Sequence, residues 1–147
     1  MIRRYGHPPQ PGQRHKLRPG AYALLVRDGR LLLTHQSAPE AEFQLPGGGI
    51  DPGESGLRAL HREVFEETGW TIGNARRLGA YRRFAFMPNY GQYAEKLCHI
   101  WIARPILRLS APTELHHSAR WASPRAAMDL LADPGVRAFL ARFRHVI

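Results

Sequence analysis

The sequence predicts an α+β domain, a mixed α/β/α sandwich, on three observations. Short apolar runs bounded by glycine, proline and polar residues recur along the chain. A capped amphipathic helix interrupts them near the middle, and two further helical segments close the sequence.

In chain order, Met1 to Gly20 is basic and contains Pro8, Pro9, Pro11 and Pro19, and it reads as an extended arm before a single domain over 21–147. Ala21 to Val26 and Arg30 to His35 are strand-sized and separated by Arg27, Asp28 and Gly29, the pattern of a β-hairpin with a glycine turn. Ser37 to Glu42 reads as a loop and Phe43 to Leu45 as a short strand, stopped by Pro46 and by a glycine run that is not expected to continue it. Ser55 can cap a helix to Thr68, in which Leu57, Leu60 and Val64 form one apolar stripe. Gly69 supplies the left-handed residue that ends it, with Trp70 expected to fold back onto Phe65. Arg77 to Met87 and Tyr93 to Ala103 read as paired strands around a turn at Pro88, Asn89 and Gly91. After a polar loop, Leu107 to Ser118, Trp121 ends a short strand. Ser123 and Pro124 then open a helix as cap and first residue, and a last helix starts near Gly135.

Composition bounds the function. The chain of 147 residues, 44% hydrophobic and 22% charged, is sized for one core and is not a disordered polymer. Its single cysteine, Cys98, excludes an intrachain disulfide and a cysteine zinc cluster, which suits the cytoplasm, and no apolar run is long enough to cross a membrane. The net charge of +9 is carried mostly by arginine and favours an anionic partner. Yet residues 51–67 hold Asp51, Glu54, Glu63, Glu66 and Glu67 against Arg58 and Arg62, a net of -3, leaving +12 elsewhere. A carboxylate cluster on a basic protein is most simply explained by a bound cation.

Glu63, Glu66 and Glu67 are spaced i, i+3 and i+4 and project from one face of the predicted helix, where they repel one another unless something positive offsets them. Such oxygen-rich sites suit Mg²⁺ or Mn²⁺, hard cations that also bind substrate phosphate. Gly47, Gly48 and Gly49 lie just upstream, where bare backbone can approach a phosphate or offer a carbonyl. Acidic residues alone on a helix are usually a solvated face, and three glycines alone are usually a turn. Their combination is what points to phosphoanhydride hydrolysis.

Together these residues resemble the signature of the Nudix hydrolases: Gly48, Glu54, Arg62-Glu63-Val64-Phe65-Glu66-Glu67-Thr68-Gly69-Trp70, with nine of 23 positions specified. The one departure is Trp70, where the family usually carries a bulky aliphatic residue. The resemblance implies a Nudix-type sandwich. It also implies metal ligation by Glu63, Glu66 and Glu67 with the Gly47 or Gly48 carbonyl, and a structural role for Glu54 and Arg62 in holding loop against helix. A further ligand or general base is expected from a later acid, Glu114 ahead of Glu95. The implied substrate is a small nucleoside diphosphate derivative. A 5′-triphosphorylated RNA, or a non-catalytic nucleotide- or nucleic-acid-binding module of the same fold, is the alternative.

Outside the signature, Arg82 and Arg83 with Tyr81, Phe84 and Phe86 can hold phosphate and stack a base, and an ordinary amphipathic strand explains them equally. Arg82 is the candidate substrate contact among them. Adjacent histidines in a loop, His116 and His117, are expected to be exposed, and His99 and Trp101 to be packing residues.

Overall fold

The computed structural model describes residues 1–87 and 91–147, so the predicted turn at Pro88 and Asn89 lies outside the described residues. Among the described residues there are eight strands: β1 (Arg3–Tyr5), β2 (His15–Arg27), β3 (Arg30–Gln36), β4 (Glu42–Gln44), β5 (Gly47–Gly49), β6 (Trp70–Met87), β7 (Gln92–Arg108) and β8 (His117–Ala122). Three α-helices accompany them, α1 (Gly56–Thr68), α2 (Pro124–Leu130) and α3 (Pro134–Phe143), and a 3-10 turn at Arg144–Val146 follows the last. The mixed sheet runs β1-β6-β7-β2-β3-β4, with β5 beside β2 and β8 beside β3.

Strand alternation splits the core in two. Ala21, Ala23 and Leu25 of β2 and Ala103 of β7 pack against Ala59, Leu60 and Val64 of α1. Leu24, Tyr81, Cys98 and Ile100 face Val136, Phe139 and Leu140 of α3 on the opposite side. Helices thus cover both faces, as the apolar pattern predicted. Asp28 and Gly29 both have positive φ, 50° and 71°, the conformation of a two-residue hairpin turn.

Several expectations are corrected. Strand β2 starts at His15, so six residues assigned to the arm pair in parallel with β7, from His15 beside Tyr93 to Gly20 beside Cys98. Arg3–Tyr5 likewise joins the sheet edge beside β6. The basic side chains between Arg14 and Arg18 alternate with His15 and Leu17, a strand pattern masked by the flanking prolines. The glycine run does form a strand: β5 pairs with Gly20–Tyr22, and a side chain at Gly47 would collide with the Ala21 carbonyl and Tyr22. Leu57 is exposed, and the buried stripe of α1 is Ala59, Leu60, Val64, Glu67 and Thr68. Trp70 opens β6 and packs edge-on against Trp121, their centroids 6.1 Å apart, with the Arg27 guanidinium over its ring.

Candidate active site

The site is built where α1 meets β5. The Ser55 hydroxyl accepts from the Arg58 amide, capping the helix, and Gly69 ends it at φ 76° with its amide donating to the Phe65 carbonyl. Between these caps Arg62 ties the helix to the preceding loop. Its Nε and Nη2 donate to the two Glu54 oxygens at 2.8 Å each, Nη2 also donates to the Gly49 carbonyl at 3.0 Å, and Nη1 reaches Glu63 Oε1 at 2.9 Å and Glu66 Oε2 at 3.4 Å. One planar guanidinium therefore spans loop, strand and helix, a geometry lysine cannot supply.

Glu67 is nearly buried, 5% exposed, and both of its oxygens are engaged. Oε1 accepts from the Gly47 amide at 2.9 Å and Oε2 lies 3.1 Å from His117 Nε2. Glu63 turns its carboxyl toward Gly48, where an added Cβ would sit 2.5 Å from it, so only glycine leaves room there. The carbonyl of Glu66 accepts from the amides of Thr113 and Glu114 at 2.8 Å each, which fastens the loop carrying Glu114 to the end of α1.

Electrostatics reflects this crowding. Burial, with Glu67 and Glu66 nearby, raises the Glu63 carboxyl to about 7 against the pull of Arg62. Burial likewise raises Glu67, with Glu114 adding repulsion and His117 opposing it. The paired guanidinium lowers Glu54 to about 2, and the hydrogen bond to Glu67 raises His117 to about 8. Carboxylates held above their ordinary range beside bare glycine backbone form a hard-oxygen donor set that a divalent cation suits. Arg62 Nη1 bridges Glu63 and Glu66, and His117 takes Oε2 of Glu67, so each of the three carboxylates is bonded to a basic side chain of the protein itself.

A family model described as the NUDIX domain matches residues 16–143. This chain belongs to the Nudix family. A Bacillus subtilis protein provisionally named 8-oxo-dGTP diphosphatase is 34% identical over 67 residues, 46% of this chain and 45% of that protein. An RNA pyrophosphohydrolase of Legionella pneumophila is 34% identical over 61 residues, 42% of this chain and 35% of that one. The aligned stretch thus spans less than half the length of these curated relatives. The MutT NUDIX hydrolase from Burkholderia pseudomallei has the same fold, with TM-score 0.66 and 28% identity over 86% of this chain and 98% of that one.

Within this Nudix fold, Gly47, Gly48, Gly49, Glu54, Arg62, Glu63, Glu66 and Glu67 are brought together, and Glu114 acts on the charge of both Glu67 and His117. Arg82 is not part of the group. It lies on β6, across β7 and β2 from β5, and its Nη1 pairs with Glu95 Oε1 at 3.2 Å. Glu95 is also held by Arg4 Nε at 3.3 Å, and it stands on β7 beside Leu17 of β2.

His117 is the site residue that sequence reasoning missed. It lies in β8, and its side chain is 10% exposed, whereas His116 is exposed with φ 65°. The available signal was parity: His117 is four residues from Trp121, hence on the same face of a strand, and Trp121 packs with the α1 core.

Proposed function

We propose that this chain is a divalent-metal-dependent hydrolase of a phosphoanhydride bond in a nucleoside diphosphate linked to another moiety. The observation that carries this reading is that two carboxylates of one helix face meet the glycine backbone, Glu63 at Gly48 and Glu67 at the Gly47 amide, while Glu66 is tied to Glu63 through Arg62.

Glu63, Glu66 and Glu67, with the Gly48 carbonyl, would hold Mg²⁺ or Mn²⁺ once Arg62 and His117 yield their hydrogen bonds. A divalent cation there supplies charge neutralisation on the diphosphate and lowers the pKa of water. Gly48 leaves the space that lets the Glu63 carboxyl and a phosphate approach the same backbone. Arg62 fixes the loop through Glu54 and the Gly49 carbonyl, so the glycine backbone does not shift as the substrate docks. Glu114, on the loop fastened to the Glu66 carbonyl, accepts a proton from the attacking water as general base. His117 is a positioning residue, orienting Glu67 from the far side.

A 5′-triphosphorylated RNA is the second reading, favoured by the net charge of +9 and by relatives named RNA pyrophosphohydrolase. The single buried cysteine suits action in the cytoplasm. The test is phosphate or pyrophosphate release across nucleotide sugars, nucleoside triphosphates, dinucleoside polyphosphates and triphosphorylated RNA, with Mg²⁺, Mn²⁺ or chelator. Metal-dependent release from a nucleoside diphosphate derivative supports the first reading. Release from RNA alone supports the second. Tight nucleotide binding with no release from any substrate would make the chain a binding module.

A further inference from the structure

Strands β2 and β7 run together from His15 beside Tyr93 and then part, their parallel register ending at Leu25 beside Ala103. From there β2 turns through Asp28 and Gly29 into β3, while β7 continues to Arg108 on β6 alone. The parting leaves a hollow of about 690 Å³, a size common for small-molecule sites. Residues 26–28 form one wall and residues 102–106 the other, with Asn74 and Arg76 of β6 and Val146 of the 3-10 turn completing it. None of these residues belongs to the carboxylate site. Ala21, the partner of Gly48, is five residues, about 17 Å, back along β2 from Val26.

Alternation and register decide which side chains share this hollow. Val26 and Ile102 belong to the core on the α3 side of the sheet. Arg76 stands opposite Ile102, and Arg104 follows Ile102 by two residues on β7, so both arginines rise from that same side. As diagonal neighbours they have Cβ atoms on the order of 7–8 Å apart, which lets two long side chains reach one anion. Both are exposed, and neither is among the ion-paired arginines of the described residues, Arg4, Arg62, Arg82 and Arg83. Arg27 is turned the other way, its guanidinium 5.1 Å from the centre of the Trp70 ring. Of the lining residues only Asp28 is acidic, and it stands on the exposed hairpin turn. The rest of the surface beside the arginines is apolar: Val26, Ile102, Val146 and Ile106, the last 46% exposed.

Two guanidiniums offer planar forks that match phosphate oxygens. A bare inorganic anion would leave the apolar floor in water, and an uncharged apolar molecule would leave the guanidiniums unmatched. Two such groups suit one phosphate, not the run of phosphates along a nucleic acid. We propose that this hollow binds a small phosphate monoester with an apolar body, the phosphate between Arg76 and Arg104 and the body on Val26, Ile102 and Ile106. It is a second ligand site, and nothing in it depends on the carboxylates of α1 or on a metal.

The test is methyl NMR of the full chain in chelator, titrated separately with phenyl phosphate, inorganic phosphate and phenol. Phenyl phosphate should move the Val26, Ile102 and Ile106 methyl signals saturably, with a dissociation constant on the order of millimolar or tighter. It should bind more tightly than inorganic phosphate or phenol. Arg76→Gln and Arg104→Gln should each weaken it by about five-fold or more with an unchanged thermal midpoint. The proposal is overturned if no methyl of the hollow moves, if the shifts lie around α1 instead, or if the double variant binds as tightly as the wild type. Equal binding of inorganic phosphate would remove the apolar floor from the site and equal binding of phenol would remove the arginines, and either result overturns it. Should a glutamine variant not fold, Ile106→Ser at its exposed position must weaken phenyl phosphate and spare inorganic phosphate. Unchanged binding of phenyl phosphate by Ile106→Ser would overturn the assignment.

Discussion

His117 Nε2 lies 3.1 Å from Glu67 Oε2, while the other oxygen of Glu67 accepts from the Gly47 amide. A side chain of β8 and the backbone of β5 therefore grip one helix carboxylate from two sides. Because the hydrogen bond raises His117 to about 8, the ring stays protonated in the metal-free protein at neutral pH. The sign follows from linkage: a histidine raised in the folded state contributes stability in full below its unfolded value of about 6.5, and this is lost as pH rises through 8. Glu67→Gln should return the His117 titration, followed by NMR in chelator, toward about 6.5. An unchanged midpoint would mean that the pair is not formed in solution.

The carboxylates themselves give the second prediction. Glu66→Gln and Glu67→Gln should each lower turnover by about 100-fold or more, the scale of damage to a catalytic metal site, while circular dichroism shows the fold retained. Glu114→Gln should lower turnover far more than Glu95→Gln, because the Glu114 loop hangs from the Glu66 carbonyl and Glu95 is tied to Arg4 and Arg82. Equal losses would remove the reason for choosing Glu114 as base.

Much of this arrangement was legible from local rules. Ser55, Gly69, Ser123 and Pro124 mark helix ends by short-range backbone chemistry, and all four sit where those rules put them. The i, i+3, i+4 glutamates needed only helical geometry. What escaped is non-local. That Gly47–Gly49 makes a strand depends on the close approach of β2, and that His117 is enclosed depends on β8 pairing with β3 beneath α1. The pairing of Arg82 with Glu95, thirteen residues along the chain, is likewise set by the β6–β7 register and not by local sequence.

Glu54 and Arg62 set a pH limit on the loop. Glu54 titrates at about 2 because the guanidinium holds its ionised form, so the stability it adds is full above the unfolded value of about 4.5 and is lost as pH falls toward 2. Urea midpoints of wild type and Glu54→Gln should differ most near neutrality and converge as pH is lowered from 5 toward 3. A gap that stays constant would assign the role of Glu54 to packing instead of charge.

Two glycines should respond differently to alanine. At Gly69 the backbone has φ 76° and the new Cβ would strike the Ser110 carbonyl, so Gly69→Ala should cost at least about 1–2 kcal/mol and lower the thermal midpoint. At Gly48 the φ is not in the left-handed region and the clash is with the flexible Glu63 carboxyl, so Gly48→Ala should fold yet lose turnover. Full activity in Gly48→Ala would show that Glu63 does not use that space.

The basic N-terminal segment calls for substitution, not truncation. His15–Arg18 supply four register pairs between β2 and β7, and Arg3–Tyr5 caps the edge of β6, so deleting residues 1–18 should lower the thermal midpoint before it says anything about charge. Replacing exposed Arg3 and Arg14 with Gln removes positive charge and leaves the strands in place. Attraction of an anionic substrate by such charges is screened over about 8 to 10 Å at physiological salt, so the variant should lose kcat/KM at low ionic strength and converge on the wild type as salt rises. The chemical step should hold, because the carboxylates lie on α1 and neither Arg3 of β1 nor Arg14 is among the groups bonded to them. A loss of kcat that is equal at low and high salt, in a protein with an unchanged thermal midpoint, would instead place these arginines in contact with the reacting substrate.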